Sequence, residues 1–137
     1  ARKNFGPEVT RRMIIGGFVP SAGHAGKYFL KAMKVKSKLT KEINEAFKKF
    51  DLLIAPTVPI QPFKIGEKID DPVSLFLVDI NTVTANLTGK PAISIPFKIV
   101  NGLPIGIQLL ANSMDDKLLL KAAYALEQTV TLPEVPI

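Results

Sequence analysis

Cysteine is absent from all 137 residues, which excludes disulfide frameworks, thiolate metal sites and cysteine nucleophiles. A reducing compartment fits that lack. Histidine occurs once, at His24, so neither a histidine-based triad nor a multi-histidine metal site can be assembled from this chain. In its glycine-flanked loop His24 reads as structural or incidental. No apolar run approaches the roughly 18 residues a membrane helix requires, and the opening ARKNFGPEV lacks the apolar stretch of an export signal. The expectation is a soluble, unexported, cytoplasmic protein, in which the glycosylation-like Asn86-Leu87-Thr88 is a chance match. No glycine-rich phosphate loop of either common type is found. Asp70-Asp71 and Asp115-Asp116 are chain neighbours, which suits caps and turns better than carboxylates converging across a fold for catalysis. An initial methionine is also missing, and Ala1 suggests a processed protein or an excised piece.

What is present is apolar and basic. Hydrophobic residues make up 47% of the chain, enough for the core of about one domain. The net charge is 18 − 12 = +6, and lysines crowd residues 27–49 against two glutamates. There Phe29, Ala32, Leu39, Ile43, Ala46, Phe47 and Phe50 recur at helical spacing, while Lys27, Lys31, Lys34, Lys38, Lys41 and Lys48 fall on the opposite face. Such a stripe suits phosphates, but no aromatics interleave it and no arginine fork accompanies it, so a solvated face is the favoured reading.

Local signals predict the element order helix, helix, strand, helix, strand, strand, helix, which is α/β. Pro7 to Gly16 reads as a helix that Gly16-Gly17 should end. A long helix is expected over Gly26 to Lys49, then a short buried strand over Asp51 to Pro56. The proline-rich TVPIQPFKIGEKIDDP is loop, and Ser74 to Leu87 is helical. AISI is fenced by Pro91 and Pro96, which must sit where the strand begins and ends or on an edge, and Asn101-Gly102 should turn the chain into an antiparallel hairpin with LPIGIQLL. Ser113 and Asp116 have capping-box spacing before a helix that turns Leu119, Ala122, Ala123 and Leu126 inward.

Three ordered runs carry a resemblance. FDLLIAPTVPIQPFKIG, IDDPVSLFLVDINTVTANLTGKPAISIPF, and NGLPIGIQLLA with DDKLLLKAAYALEQ resemble the C-terminal third of amidase-signature enzymes. Within these the chain is most similar to the A subunits of glutamyl-tRNA(Gln) and aspartyl-tRNA(Asn) amidotransferases, and FGPEVTRRMIIGGFVPSAG extends the match from Asn4 to about Thr129. The resemblance implies a single partial domain over residues 1–137, with a few short strands of a mixed sheet covered by helices. It implies a glutaminase that supplies ammonia for ATP-dependent amidation of tRNA-bound glutamate or aspartate. B and C subunits would be partners, with ATP, magnesium and most tRNA contacts on the partner subunit. The family's serine, cis-serine and lysine machinery belongs to a segment N-terminal to the part matched, so no residue here is assigned as catalytic. Ser21 and Ser94 match no catalytic position. The implied substrate contacts fall on Arg12, for the α-carboxylate of glutamine, and Asp79, for its α-ammonium. Arginine suits the first task because its planar fork matches a carboxylate. Arg11 is the rival for Arg12, about 100° away around the helix. Helix-capping duties for both Arg12 and Asp79, a general acyl-amide hydrolase, and a tRNA-binding module without catalysis are the alternatives. After the S-x-G of this chain stand His24, Ala25 and Gly26 where family members often carry aromatics, a departure in the surroundings of the pocket.

Overall fold

Pro7 fixes the start of the first helix. Helix α1 (Pro7–Phe18) places that proline where a helix has no use for its missing N–H, and Glu8 complements the positive end of the helix dipole. The computed structural model describes residues 5–21, 25–63 and 76–131, so His24 and Asp70-Asp71 lie outside the described residues. The chain divides into two units, Ala1–Lys41 and Glu42–Ile137.

In the first unit α1 does not stop at Gly16-Gly17 as expected; it continues to Phe18. Glycine ends a helix by turning left-handed, and neither of these does; among the described glycines only Gly89 and Gly102 have positive φ. The Ser21 hydroxyl donates to the Phe18 carbonyl at 2.6 Å, just past the helix end. The lysine-rich helix opens as a π-helical turn, Ala25–Phe29, and becomes α2 (Leu30–Ala46), close to the expected span.

The second unit is built on a three-stranded antiparallel sheet in the order β1-β3-β2, with β1 Leu52–Pro56, β2 Ala92–Val100 and β3 Leu103–Ala111. Helix α3 (Ile80–Thr88) precedes β2, and α4 (Asp116–Glu127) follows β3. The predicted element order is therefore the observed one. The hairpin joining β2 to β3 turns at Asn101 (φ 53°) and Gly102 (φ 78°), the double positive φ of a turn whose twist matches its strands.

Pro96 does not end its strand. β2 runs on to Val100, and the register slips between Pro96, opposite Gly106, and Lys98, opposite Ile105, so Phe97 is the extra residue of a bulge. Two features accommodate the proline: among the described residues β2 is an edge strand, and the ladder is already interrupted there. Among the described residues β1 is the other edge, so it is not the buried strand expected, and its Ile54 is 59% exposed. Pro104 falls in the central strand but beyond β1, whose pairing begins at Ile107.

Side chains alternate across the sheet. Ile95, Leu109 and Ala111 face Leu119 and Ala123 of α4, with Leu52, Ile93, Ile107, Ala122 and Leu126 closing the cluster, as the inward face of α4 predicted. Full burial of a leucine such as Leu109 stabilises by about 2 kcal/mol, so this cluster dominates the unit. Gln108 and Leu110 face the other way and are also buried, and α3 is tied to that side through Gln108. The capping box does not form. Met114, at φ 68°, cannot be the first residue of a helix, so α4 starts at Asp116 with Asp115 as its N-cap.

Candidate functional site

Arg12 occupies the middle of α1, one turn after Glu8. Its Nε donates to Glu8 Oε1 at 2.7 Å. Arg11 grips the same carboxylate with two bonds, Nε to Oε2 at 2.8 Å and a terminal nitrogen to Oε1 at 2.9 Å. These bonds, Arg11's first and Arg12's second, hold the Glu8 carboxyl down at about 2 from an ordinary 4.5. The planar fork proposed for a carboxylate is thus seen at work here, but on an internal carboxylate and with Arg11 as the bidentate partner.

Asp79 belongs to the second unit, whereas Arg12 belongs to the first. It is the N-cap residue of α3, yet its carboxylate makes no cap hydrogen bond to that helix. Its backbone is held closely. The N–H donates to the Phe76 carbonyl at 3.2 Å, and its own carbonyl accepts from Val83 N–H at 2.9 Å and from the Thr82 hydroxyl at 3.0 Å. The side chain is exposed at the positive end of α3, where the helix dipole favours an anion.

Two residues near it escaped sequence reasoning. Asn81 Nδ2 donates to the Pro56 carbonyl at the end of β1, at 2.9 Å, and the Asn81 carbonyl accepts from Gln108 Nε2 of β3 at 3.2 Å. A polar residue inside the apolar LPIGIQLL was the available signal for Gln108; Asn81 gave none. Beside them the Thr57 and Ser94 hydroxyls share a 2.6 Å hydrogen bond over Gly106, where a Cβ would lie 3.0 Å from Ser94 Oγ and 3.1 Å from Thr57 Oγ1. Ser94 is therefore engaged in joining β2 to the segment after β1.

Lys90 is the other polar residue that the sequence did not single out. It is buried between α3 and β2, with Nζ donating to Asn112 Oδ1 at 2.8 Å and Ser113 Oγ at 3.0 Å, and lying 5.4 Å above the Phe47 ring. Two acceptors and an aromatic face are what a desolvated ammonium needs. On the face that α4 covers, the sheet continues past the helix into an open apolar groove of about 360 Å³, lined by Ile54, Pro56, Val100 and Ile105 among others. Among the described residues no cluster of three or more histidine, cysteine, aspartate or glutamate side chains could hold a metal ion, and no helix is long and apolar enough to cross a membrane.

Comparison with known proteins decides the family. Residues 1–120 match the Amidase family model. The chain belongs to the Amidase family. Among its relatives, the A subunit of the Cenarchaeum symbiosum glutamyl-tRNA(Gln) amidotransferase is 58% identical over 136 residues, covering 99% of this chain and 28% of that protein. Its counterpart of the same description from Methanosarcina mazei is 48% identical over 126 residues, covering 92% of this chain and 26% of its own length. The crystal structure of the A subunit of the Thermotoga maritima glutamyl-tRNA(Gln) amidotransferase superposes with a TM-score of 0.76 at 43% identity, covering 97% of this amidase chain and 30% of that one. The α/β expectation and the resemblance to A subunits both stand, and the chain spans between a quarter and a third of each of these relatives.

Proposed function

We propose that this amidase chain is one partial domain, the C-terminal portion of a glutamine-hydrolysing A subunit, and that it carries the recognition of free glutamine. The carrying observation is the 58% identity, over nearly the whole chain, to a protein described as the A subunit of a glutamyl-tRNA(Gln) amidotransferase. On this reading the nucleophile and its base lie in the part of the enzyme that this chain does not span. Asp79 accepts from the α-ammonium, aided by the N-terminal dipole of α3, and Arg12 meets the α-carboxylate in exchange for its bond to Glu8. Drawing both charged ends of glutamine out of water requires partners of this kind, because an unpaired charge in a closed site is costly. Ammonia released from the side-chain amide is passed to a B subunit that binds ATP, magnesium and most of the tRNA, with a C subunit completing a cytoplasmic complex.

The test is the glutamine-induced rise in melting temperature of the complete enzyme. Arg12→Ala and Asp79→Ala should each weaken glutamine binding at least about tenfold, the scale expected when one partner of a closed charge pair is removed. A shift produced by uncharged acyl amides and not by glutamine would replace this reading with that of a general acyl-amide hydrolase.

A further inference from the structure

We infer that Glu8 is an internal stand-in for the α-carboxylate of glutamine: it competes for Arg12, Arg11 moderates the competition, and together they set the affinity for the substrate. This rests on the reading of Arg12 given above. Both oxygens of Glu8 are engaged by guanidinium groups, Arg11 through two bonds at 2.8 and 2.9 Å and Arg12 through Oε1 at 2.7 Å. A carboxylate arriving at Arg12 therefore meets a group that already holds one. Binding exchanges one anion for another, and the apparent affinity falls below the intrinsic one by the fraction of molecules in which Glu8 has let go. That exchange leaves no bare charge. Arg11 keeps its two bonds to Glu8 when Arg12 turns away, so the displaced carboxylate stays paired while Arg12 passes to the ligand. Arg12 is the exposed arginine and Arg11 the half-buried one, which suits the first to a ligand and the second to an anchor. All three residues lie within one turn of α1, at spacings of three and four, so rotation of side chains is enough. The competitor is also permanently charged, because its carboxyl is held at about 2. An exposed ion pair of this kind biases an equilibrium about two- to fivefold, which is the size of competition expected. A brace that only oriented Arg12 would act with the opposite sign, since removing it would weaken glutamine.

The experiment uses the complete enzyme and two primary amides, glutamine and 4-aminobutanamide, which is glutamine without its α-carboxylate. Glu8→Gln should lower KM for glutamine about threefold with kcat unchanged, and leave kcat/KM for 4-aminobutanamide where it was. Arg11→Met removes the anchor, so Glu8 should hold Arg12 more firmly and KM for glutamine should rise, again about threefold. Added to Glu8→Gln, Arg11→Met should no longer raise KM, because the competitor it restrained is gone. Loosening of α1 would raise KM for glutamine in every variant, the wrong sign for Glu8→Gln. If Arg12→Ala weakens glutamine while Glu8→Gln raises KM or leaves it unchanged, the inference is overturned and the reading of Arg12 survives. A gain shared by 4-aminobutanamide overturns it as well, since the effect would not pass through the α-carboxylate. If Arg12→Ala leaves glutamine binding unmoved, both fall. Should Glu8→Gln not fold, Arg11→Met decides alone, and an unchanged KM there overturns the inference equally.

Discussion

Glu8 shows how one side chain can be tuned without burial. Its carboxyl is held at about 2 by bonds from Arg11 and Arg12, against 4.5 unperturbed. A depressed value means that the stabilisation is present above about 4.5 and is lost as pH falls through about 2. The side-chain carbon of Glu8 should therefore titrate near 2 in an NMR experiment, with the helical signal of α1 declining in the same window, and Glu8→Gln should abolish that decline. A midpoint near 4 would show that the two arginines do not hold it. Lys90 is the contrasting case, a buried cation whose partners are neutral. Lys90→Met keeps the stem but leaves Ser113 without that donor, and it should cost about 1–2 kcal/mol in denaturant unfolding. No change in the midpoint would mean that the ammonium only offsets its own burial.

At the scale of elements, two glycines make opposite predictions. Gly102 turns the hairpin at φ 78°, so Gly102→Ala should destabilise by about 1 kcal/mol. Gly16 lies inside α1 with open space where a Cβ would go, so Gly16→Ala should stabilise that helix by roughly 0.5–1 kcal/mol. Circular dichroism and thermal melts check both signs. The pair also shows what the sequence could convey. Asn101-Gly102 was legible because an adjacent pair with positive φ dictates a turn by itself, whereas Gly16-Gly17 resembled a stop signal that the helix ignores. The inward face of α4 was legible from its period. The bulge at Phe97 and the displaced start of α4 were not, since both depend on backbone geometry, the slipped pairing of Pro96 with Gly106 and the left-handed Met114. The same divide holds in the site. Asp79 was expected inside a helix over Ser74 to Leu87, with a helix start only as the alternative, whereas the helix begins after it at Ile80; the bonds that tie the start of α3 to the sheet join Asn81 to residues 25 and 27 positions away, beyond any local pattern.

At the scale of the whole molecule the stretch 27–49, eight lysines against two glutamates, carries a charge equal to the whole net +6, and within it Lys31, Lys34, Lys38 and Lys41 of α2 are exposed. The face reads as solvated, so Lys31→Ala with Lys38→Ala should leave RNA affinity within about twofold at physiological salt. A fall of about 1.4 in the salt slope would instead assign both lysines to phosphates of a single strand. The sheet, meanwhile, is covered unequally along its length. At one end Ala111 is fully buried beneath α4, with both neighbouring strands paired to β3. At the other end Leu103 to Ile105 pair with β2 alone, and the groove beside Ile54 and Val100 lies open. Amide hydrogens should consequently exchange with solvent in a spatial order, fastest beside the Asn101 turn and slowest at Leu109 to Ala111. The hairpin would then open like a zip from its tip, while the strand ends nearest α4 stay closed until the unit unfolds as a whole.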